Sequence, residues 1–463
     1  MPSGPVFAMP RKRQGVCAKL IERIEERLAP MMAALSPIRG LPDMFARCFL
    51  STLESTCQEQ EDGGVFIITG DIEAMWLRDS TEQTLHYLRF ARQETALADW
   101  VERVIARQVD CVLLDPYANA FNISPNGRHG YSDPPCPHEG VWERKYELYS
   151  LCHVLLLAWR YQQATDRNGF LDERFFRAMA HAVDVMETEQ RHEACSDYRF
   201  QRFGCPPSDT LSREGRGEPV GDTGMSWSGF RPSDDACRYG YLVPANLFAA
   251  AMLQKLSAMA NAHGQEALAM RAARLSGEIS AGVARHGVVE TERFGAIYAY
   301  EVDGLGHALL MDDANIPSLL SLPYLGVCQP NDPLYLRTRT FVLSEHNPQF
   351  FSGRAACGVG SPHTPPRAVW PIGLCIQGLT ACHSAERASM LRMLLTTHAG
   401  TARMHESFDC DRPSAYTRGW FAWANSMFGE LVCRMYELGE LEDAVAWLLK
   451  NDIKDINKAS ILT

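Results

Sequence analysis

The sequence contains no apolar run long enough to cross a bilayer. It also has no C-x-x-C pair, although 15 cysteines are spread over its 463 residues. The first absence argues against an integral membrane protein, and the second against a zinc ribbon or a dithiol redox motif. No G-x-G-x-x-G or Walker loop is present, and no G-x-S-x-G elbow, so dinucleotide, nucleotide and serine-hydrolase chemistry lack their usual signatures. Positive charge is in deficit: the net charge is −11, which argues against nucleic acid as a partner. The basic residues Arg11, Lys12 and Arg13 are not followed by an apolar segment of the kind a signal peptide needs. Scattered, unpaired cysteines such as Cys152, Cys375 and Cys433 read as small buried hydrophobes, so a cytoplasmic, reducing location is expected.

What is present is helical periodicity. Apolar residues at 3.6-residue spacing predict helices over 14–35, 42–58, 80–92, 96–114, 143–165, 172–191, 243–262, 265–285, 333–343, 372–384, 385–397, 418–438 and 440–449. A short helix is expected over 316–322 and a hairpin strand over 291–302. No strand–helix alternation suggests a doubly wound sheet. Helices in neighbouring pairs point to one all-α domain over 1–463, closed into a ring or stacked into an open solenoid, and the long polar loops favour a ring with a site at one end.

The densest chemistry lies in Gly70-Asp71-Ile72-Glu73-Ala74-Met75-Trp76-Leu77-Arg78-Asp79-Ser80. A flat indole beside Arg and Asp suits a sugar, whose ring has apolar C–H faces and a rim of hydroxyls. The alternative is structural, with Asp79 or Ser80 capping the helix that follows. Four further stretches stand out. In Trp227–Asp235, Arg231 and Pro232 precede Ser233, Asp234 and Asp235. These are either an N-cap with two dipole-favoured carboxylates or a catalytic acid whose proton is retained by burial or by its neighbour's charge. In Met404-His405-Glu406-Ser407-Phe408, Glu406 is a candidate base or a structural carboxylate. His405 has no second ligand at helical spacing, so no metal is expected. Asp312, Asp313 and Asn315 form either a polar group near a site or a capped turn. In Arg418–Asn425, Trp420 and Trp423 would lie three apart on one helix face, as core or as a sugar platform. Paired carboxylates among aromatics are what glycosidic bond hydrolysis uses.

The segments GDIEAMWLRDS, KYELYSLC, WSGFRPSDD, MDDANIPSLL and MHESF occur in this order. Together they resemble the metal-independent exo-α-1,6-mannosidases of glycoside hydrolase family 125, over about residues 45–439. The resemblance implies an (α/α)6 barrel with its cleft at one end, formed by long loops. It implies inverting hydrolysis of a non-reducing terminal α-1,6-linked mannose, without cofactor or metal, on a mannose-containing oligosaccharide or N-glycan fragment. It also implies that the general acid is Asp234 or Asp235, with Asp234 preferred, and that Glu406 is the general base. Asp71, Trp76, Arg78, Asp79, Arg231, Asp312, Asp313, Asn315, His405 and Trp420 become candidates for substrate binding. Tyr149 stands where the family often has Asp; if that family residue contacts substrate, sugar affinity or subsite specificity differs here. Two rival readings are a sugar epimerase or isomerase on the same ring, using loop histidines such as His129, His138 and His363, and a non-catalytic glycan-binding protein.

Overall fold

The computed structural model describes residues 16–459, apart from 62, 131, 132 and 136. The basic triplet Arg11–Arg13 and both ends of the expected 1–463 unit lie outside the described residues. The helices of nine residues or more are α1 (Val16–Leu35), α2 (Leu41–Phe49), α3 (Leu77–Leu85), α4 (Thr95–Leu114), α5 (Leu148–Thr165), α6 (Glu173–Glu189), α7 (Val243–Ala262), α8 (Glu266–His286), α9 (Pro333–Val342), α10 (Pro371–Leu379), α11 (Ser384–Thr397), α12 (Ala422–Glu437) and α13 (Leu441–Lys450).

They form two concentric layers. In the inner layer α12 packs on α3, α3 on α5, α5 on α7, and α10 on α12. In the outer layer α4 packs on α6 and α6 on α8, while α11 packs on α13 and α13 on α1. This is the all-α (α/α)6 barrel arrangement. Among the described residues no sheet exceeds three strands, and no helix is long and apolar enough to cross a membrane.

Amphipathic sequence explains the outer layer. Leu20, Ile24, Leu28 and Leu35 of α1 are buried at helical spacing. Asp172 caps α6 by accepting from the Phe175 N–H at 2.8 Å, satisfying one of the orphan donors of the first turn. Replacing it with alanine should cost about 1 kcal/mol in urea unfolding. A loss of several kcal/mol would mean that Asp172 does more than cap.

The inner layer departs from the predicted boundaries where side chains take backbone partners. The predicted 42–58 helix is α-helical to Phe49 and continues as a π-helical turn over Thr52–Thr56, where the Thr52 and Thr56 hydroxyls donate to Gln83. Cys57–Glu59 then pairs with Val65–Ile67. The predicted 143–165 helix starts only at Leu148, since Val141–Glu143 is a strand beside Ala120–Phe121. No helix forms over 316–322. There Asp312 accepts the N–H groups of Leu319 and Leu320 at 2.8 and 2.9 Å and ties the chain into turns. The 291–302 hairpin is offset: Val288–Thr291 pairs with Gly295–Tyr298, and Glu301–Val302 joins a separate sheet with Tyr241–Leu242.

The largest departure is α3. It starts at Leu77, three residues earlier than its pattern suggests, with Trp76 rather than Asp79 or Ser80 at the cap position and no side-chain cap. Every residue of this polar helix is buried. It is tolerated because its groups are paired. Gln108 donates to Ser80 and Thr81, Gln83 donates to the Ile68 carbonyl, and Glu82 meets His153 and the Tyr324 hydroxyl. α3 is therefore the polar axis of the barrel, and its first turn carries Arg78 and Asp79 to one end.

Candidate active site

At that end, a cavity is lined by Thr69, Ile72, Trp76, Arg78, Asp79, Pro232, Ser233, Asp234, Asn315, His363, Trp370, Glu406, Arg418, Phe421 and Trp423. It collects six separate stretches of sequence around the start of α3.

Arg78 is its electrostatic centre. The guanidinium is buried and lies 3.1 Å from Asp79, 3.6 Å from Glu147 and 3.8 Å from Asp234. It also faces the rings of Trp423 and Tyr149. Burial works against its charge, but Asp79 and Glu147 outweigh that and keep it ionised. Burial in turn pushes the Asp79 carboxyl up against the pull of Arg78.

Asp234 sits in a tight turn rather than at the head of a helix. Pro232 fixes the second position of that turn, and the Asp234 N–H closes it on the Arg231 carbonyl at 2.9 Å. An isolated bridge between Phe230 and Ala236 pins its base. Asp234 itself has φ 69°, a left-handed conformation that Asp adopts more readily than most residues. The Lys145 ammonium holds its carbonyl at 2.8 Å. The two adjacent carboxylates are separated by this turn. The Asp234 side chain keeps 30% of its surface open, whereas Asp235 keeps 7% and is 3.3 Å from His363 Nδ1. Burial raises the Asp234 carboxyl, but Arg78, Lys145 and His363 draw it down further than burial lifts it. Burial opposes the charge on His363, yet its bond to Asp235 and the nearby Asp234 and Glu406 push it up to about 9.

Glu406 immediately precedes the strand Ser407–Asp409, which lies between Ala368–Val369 and Tyr416–Thr417. Asn425 on α12 accepts the Met404 N–H at 3.0 Å and fixes the approach. Arg418 donates to Glu406 at 3.4 Å and, through Nε, to Asp71 at 3.0 Å. Arg418 lies before α12, which starts at Ala422. Trp420 is therefore not on a helix, and the predicted Trp420–Trp423 face does not exist. Trp420 packs against Phe66, Ile68 and Met75, while Trp423 lines the cavity. At Gly70 an added Cβ would lie 2.3 Å from the Trp420 carbonyl. That glycine permits the bridge to Phe421.

The remaining candidates stand behind the lining. Arg231 is spent on the buried Glu301. Asp312 binds two backbone N–H groups, and burial pushes its carboxyl up to about 8. Asp313 accepts from Asn315 and from Ser361, the residue that turns the His363 loop. His405 faces away from the cavity, stacked on Tyr416, and burial pushes it down to about 4. Tyr149 is buried beneath Arg78 and is not among the lining residues. His129 and His138 do not line the cavity either. Sequence reasoning missed Glu147, Lys145 and Trp370. The available signal for Glu147 was a carboxylate interrupting the buried run Tyr146–Tyr149.

Several buried polar atoms facing this region have no hydrogen-bond partner among the described residues: Trp76 Nε1, Trp423 Nε1, Arg78 Nη1 and Asp234 Oδ1. Buried polar groups are normally satisfied, so the cavity is built for a ligand rich in both donors and acceptors. Among the described residues no group of three His, Cys, Asp or Glu side chains could hold a metal ion.

Comparison with known proteins agrees with this geometry. The family model described as metal-independent α-mannosidase (GH125) matches residues 39–433. The meiotically up-regulated gene 157 protein of Schizosaccharomyces pombe is 37% identical over 420 residues, covering 86% of this chain and 82% of that protein. A Streptococcus pneumoniae metal-independent α-mannosidase, solved in a non-productive complex with α-1,6-mannobiose, superposes with TM-score 0.86 at 41% identity. The match covers 91% of this chain and 98% of that one. A bacterial glucoamylase bound to acarbose shares the fold alone, at TM-score 0.54 and 12% identity, over 87% of this chain and 57% of that one. The chain belongs to glycoside hydrolase family 125, the metal-independent α-mannosidases.

Proposed function

We propose that this α-mannosidase removes non-reducing terminal α-1,6-linked mannose from a mannose oligosaccharide, with inversion, using Asp234 as general acid and Glu406 as general base. The observation that carries the assignment is the placement of these two carboxylates on the wall of one cavity, on separate stretches of chain, while Asp235 is turned away onto His363. In this reading Asp234 gives its proton to the glycosidic oxygen as the C1–O bond breaks. Glu406 takes a proton from the water that attacks C1 from the opposite face. The products are β-mannose and a free hydroxyl on the acceptor sugar. Inversion requires the carboxyl groups to stand about 6.5–9.5 Å apart, leaving room for that water. Arg78 and Asp79 bind hydroxyls, and Trp76 and Trp423 offer indole faces to the sugar ring.

The linkage assignment is supported by the α-1,6-mannobiose bound to the Streptococcus relative. The reading takes the whole chain as one catalytic unit. Its fourteen described cysteines are all free, which favours a cytoplasmic setting. Incubation with α-1,2-, α-1,3-, α-1,4- and α-1,6-mannobiose in EDTA tests the reading. Cleavage of the α-1,6 isomer well ahead of the others is expected. Equal cleavage of all four, or activity abolished by EDTA, would reject it.

A further inference from the structure

The Glu147 side chain has no surface exposure, and the reaction above gives it no task. It precedes α5 and is held from three sides. Asn119 donates to Oε1 at 3.1 Å, Ser150 Oγ to Oε2 at 2.6 Å, and Arg78 Nη1 lies 3.6 Å from Oε2. Its carboxyl lies beside that of Asp234, each facing one arm of the same guanidinium: Nη2 of Arg78 lies 3.8 Å from Asp234 Oδ1. One guanidinium thus serves Asp79, Glu147 and Asp234. The other groups facing Glu147 are Tyr149 and Cys237, whose pKa values burial raises well above their usual range, so both are neutral. Lys145, on the far side of Asp234, is shared with Asp209 and Glu143.

Two ionised carboxylates crowded onto one guanidinium repel each other, and a proton held by one of them relieves that repulsion. Resting on the mannosidase reading, we infer that Asp234 and Glu147 hold one proton between them beside Arg78, and that Glu147 is the positioning residue that supplies it to Asp234. In the free enzyme that proton sits on Glu147, whose carboxyl burial pushes up to about 8. Asp234 is meanwhile kept ionised by Arg78 and Lys145. Bound substrate covers the part of Asp234 still open to water, and desolvation favours its neutral form. The O–H bond of Glu147 breaks as that of Asp234 forms, leaving Glu147 as the carboxylate. Asp234 then protonates the leaving oxygen. The pair has lost one proton and Glu406 has gained one from water, and exchange with solvent resets both.

Glu147→Gln keeps the shape and removes the proton store and the negative charge. Without that charge, Arg78 and Lys145 draw the Asp234 pKa lower. The basic limb of the kcat/KM profile on α-1,6-mannobiose should therefore move at least about one unit toward acid. kcat at pH 7 should fall by about 100-fold. With 2,4-dinitrophenyl α-mannoside, whose leaving group needs no proton, kcat should stay within about threefold of wild type. Glu147→Asp should restore part of the shift. Equal losses on both substrates, or an unmoved basic limb, would overturn the inference. Carbon-13 NMR of wild-type enzyme labelled at the glutamate carboxyls gives a readout that needs no variant. One glutamate titrating near pH 8 is expected, and all of them titrating below pH 6 would overturn it. Wild-type enzyme inert toward mannobiose would instead count against the mannosidase reading, with the NMR titration still deciding the role of Glu147.

Discussion

Glu406→Gln and Asp234→Asn should each lower kcat on α-1,6-mannobiose by about 10²–10⁴-fold, the usual contribution of a positioned acid or base. The two losses should separate when the leaving group is changed. On 2,4-dinitrophenyl α-mannoside the Asp234→Asn loss should largely vanish, because dinitrophenolate departs without a proton. The Glu406→Gln loss should persist, because water must still be deprotonated. Both variants should fold normally. The amide oxygen introduced by Glu406→Gln can still accept from Arg418, and Asp234→Asn still allows the positive φ that the turn after Pro232 requires. Steady-state kinetics on the two substrates check this. A loss confined to KM would show that the residue binds sugar but takes no part in proton transfer. If Asp235→Asn, and not Asp234→Asn, abolished activity, the acid would be the residue now placed against His363.

Arg78→Met should be the most damaging substitution for the fold. Arg78 is 4% exposed and faces Asp79, Glu147 and Asp234. Removing one partner from a buried ionic group costs about 3–5 kcal/mol, because the remaining charges lose their compensation. The penalty should depend on pH with a definite sign. Burial already raises Asp79 and Glu147 in the folded state, and loss of Arg78 raises them further. Groups whose folded pKa lies above the unfolded value contribute stability that is intact below the unfolded value and declines as pH rises toward the folded one. The stability deficit of Arg78→Met should therefore be small near pH 4.5 and widen toward pH 8. Urea unfolding of wild type and variant at both pH values checks this. A deficit that is constant with pH, or larger in acid, would show that lost packing on Tyr149 and Trp423 dominates.

The sequence is most readable where burial and amphipathic pattern coincide. The outer helices α1, α4, α6 and α8 show an apolar stripe, and the predicted limits that fall within the described residues lie within two residues of the observed ones. The axis of the barrel is not readable in the same way. α3 is polar at every position between its terminal leucines, yet wholly buried, so its pattern predicts neither its burial nor its start at Leu77. Its stability rests on tertiary partners such as Gln108 and His153, which local sequence does not identify. The same limit explains the turn at Asp234. Ser233-Asp234-Asp235 is a good helix-capping sequence, but Pro232 and the Phe230–Ala236 bridge commit it to a turn. Trp420 and Trp423 exchange roles because the chain at Arg418 has φ 37° and the helix waits until Ala422. Glu147 is hidden because the apolar pattern extends a helix over it; its chemistry depends on Arg78 and Asp234, both remote in sequence.

Single displacement by Asp234 and Glu406 in one cavity is read out by proton NMR of the first sugar released from α-1,6-mannobiose. β-Mannose should appear first, with α-mannose growing in only by mutarotation, and this release should be unchanged by EDTA and lost in Glu406→Gln. Initial release of α-mannose would contradict it, since retention would require one of these carboxylates to attack the sugar itself.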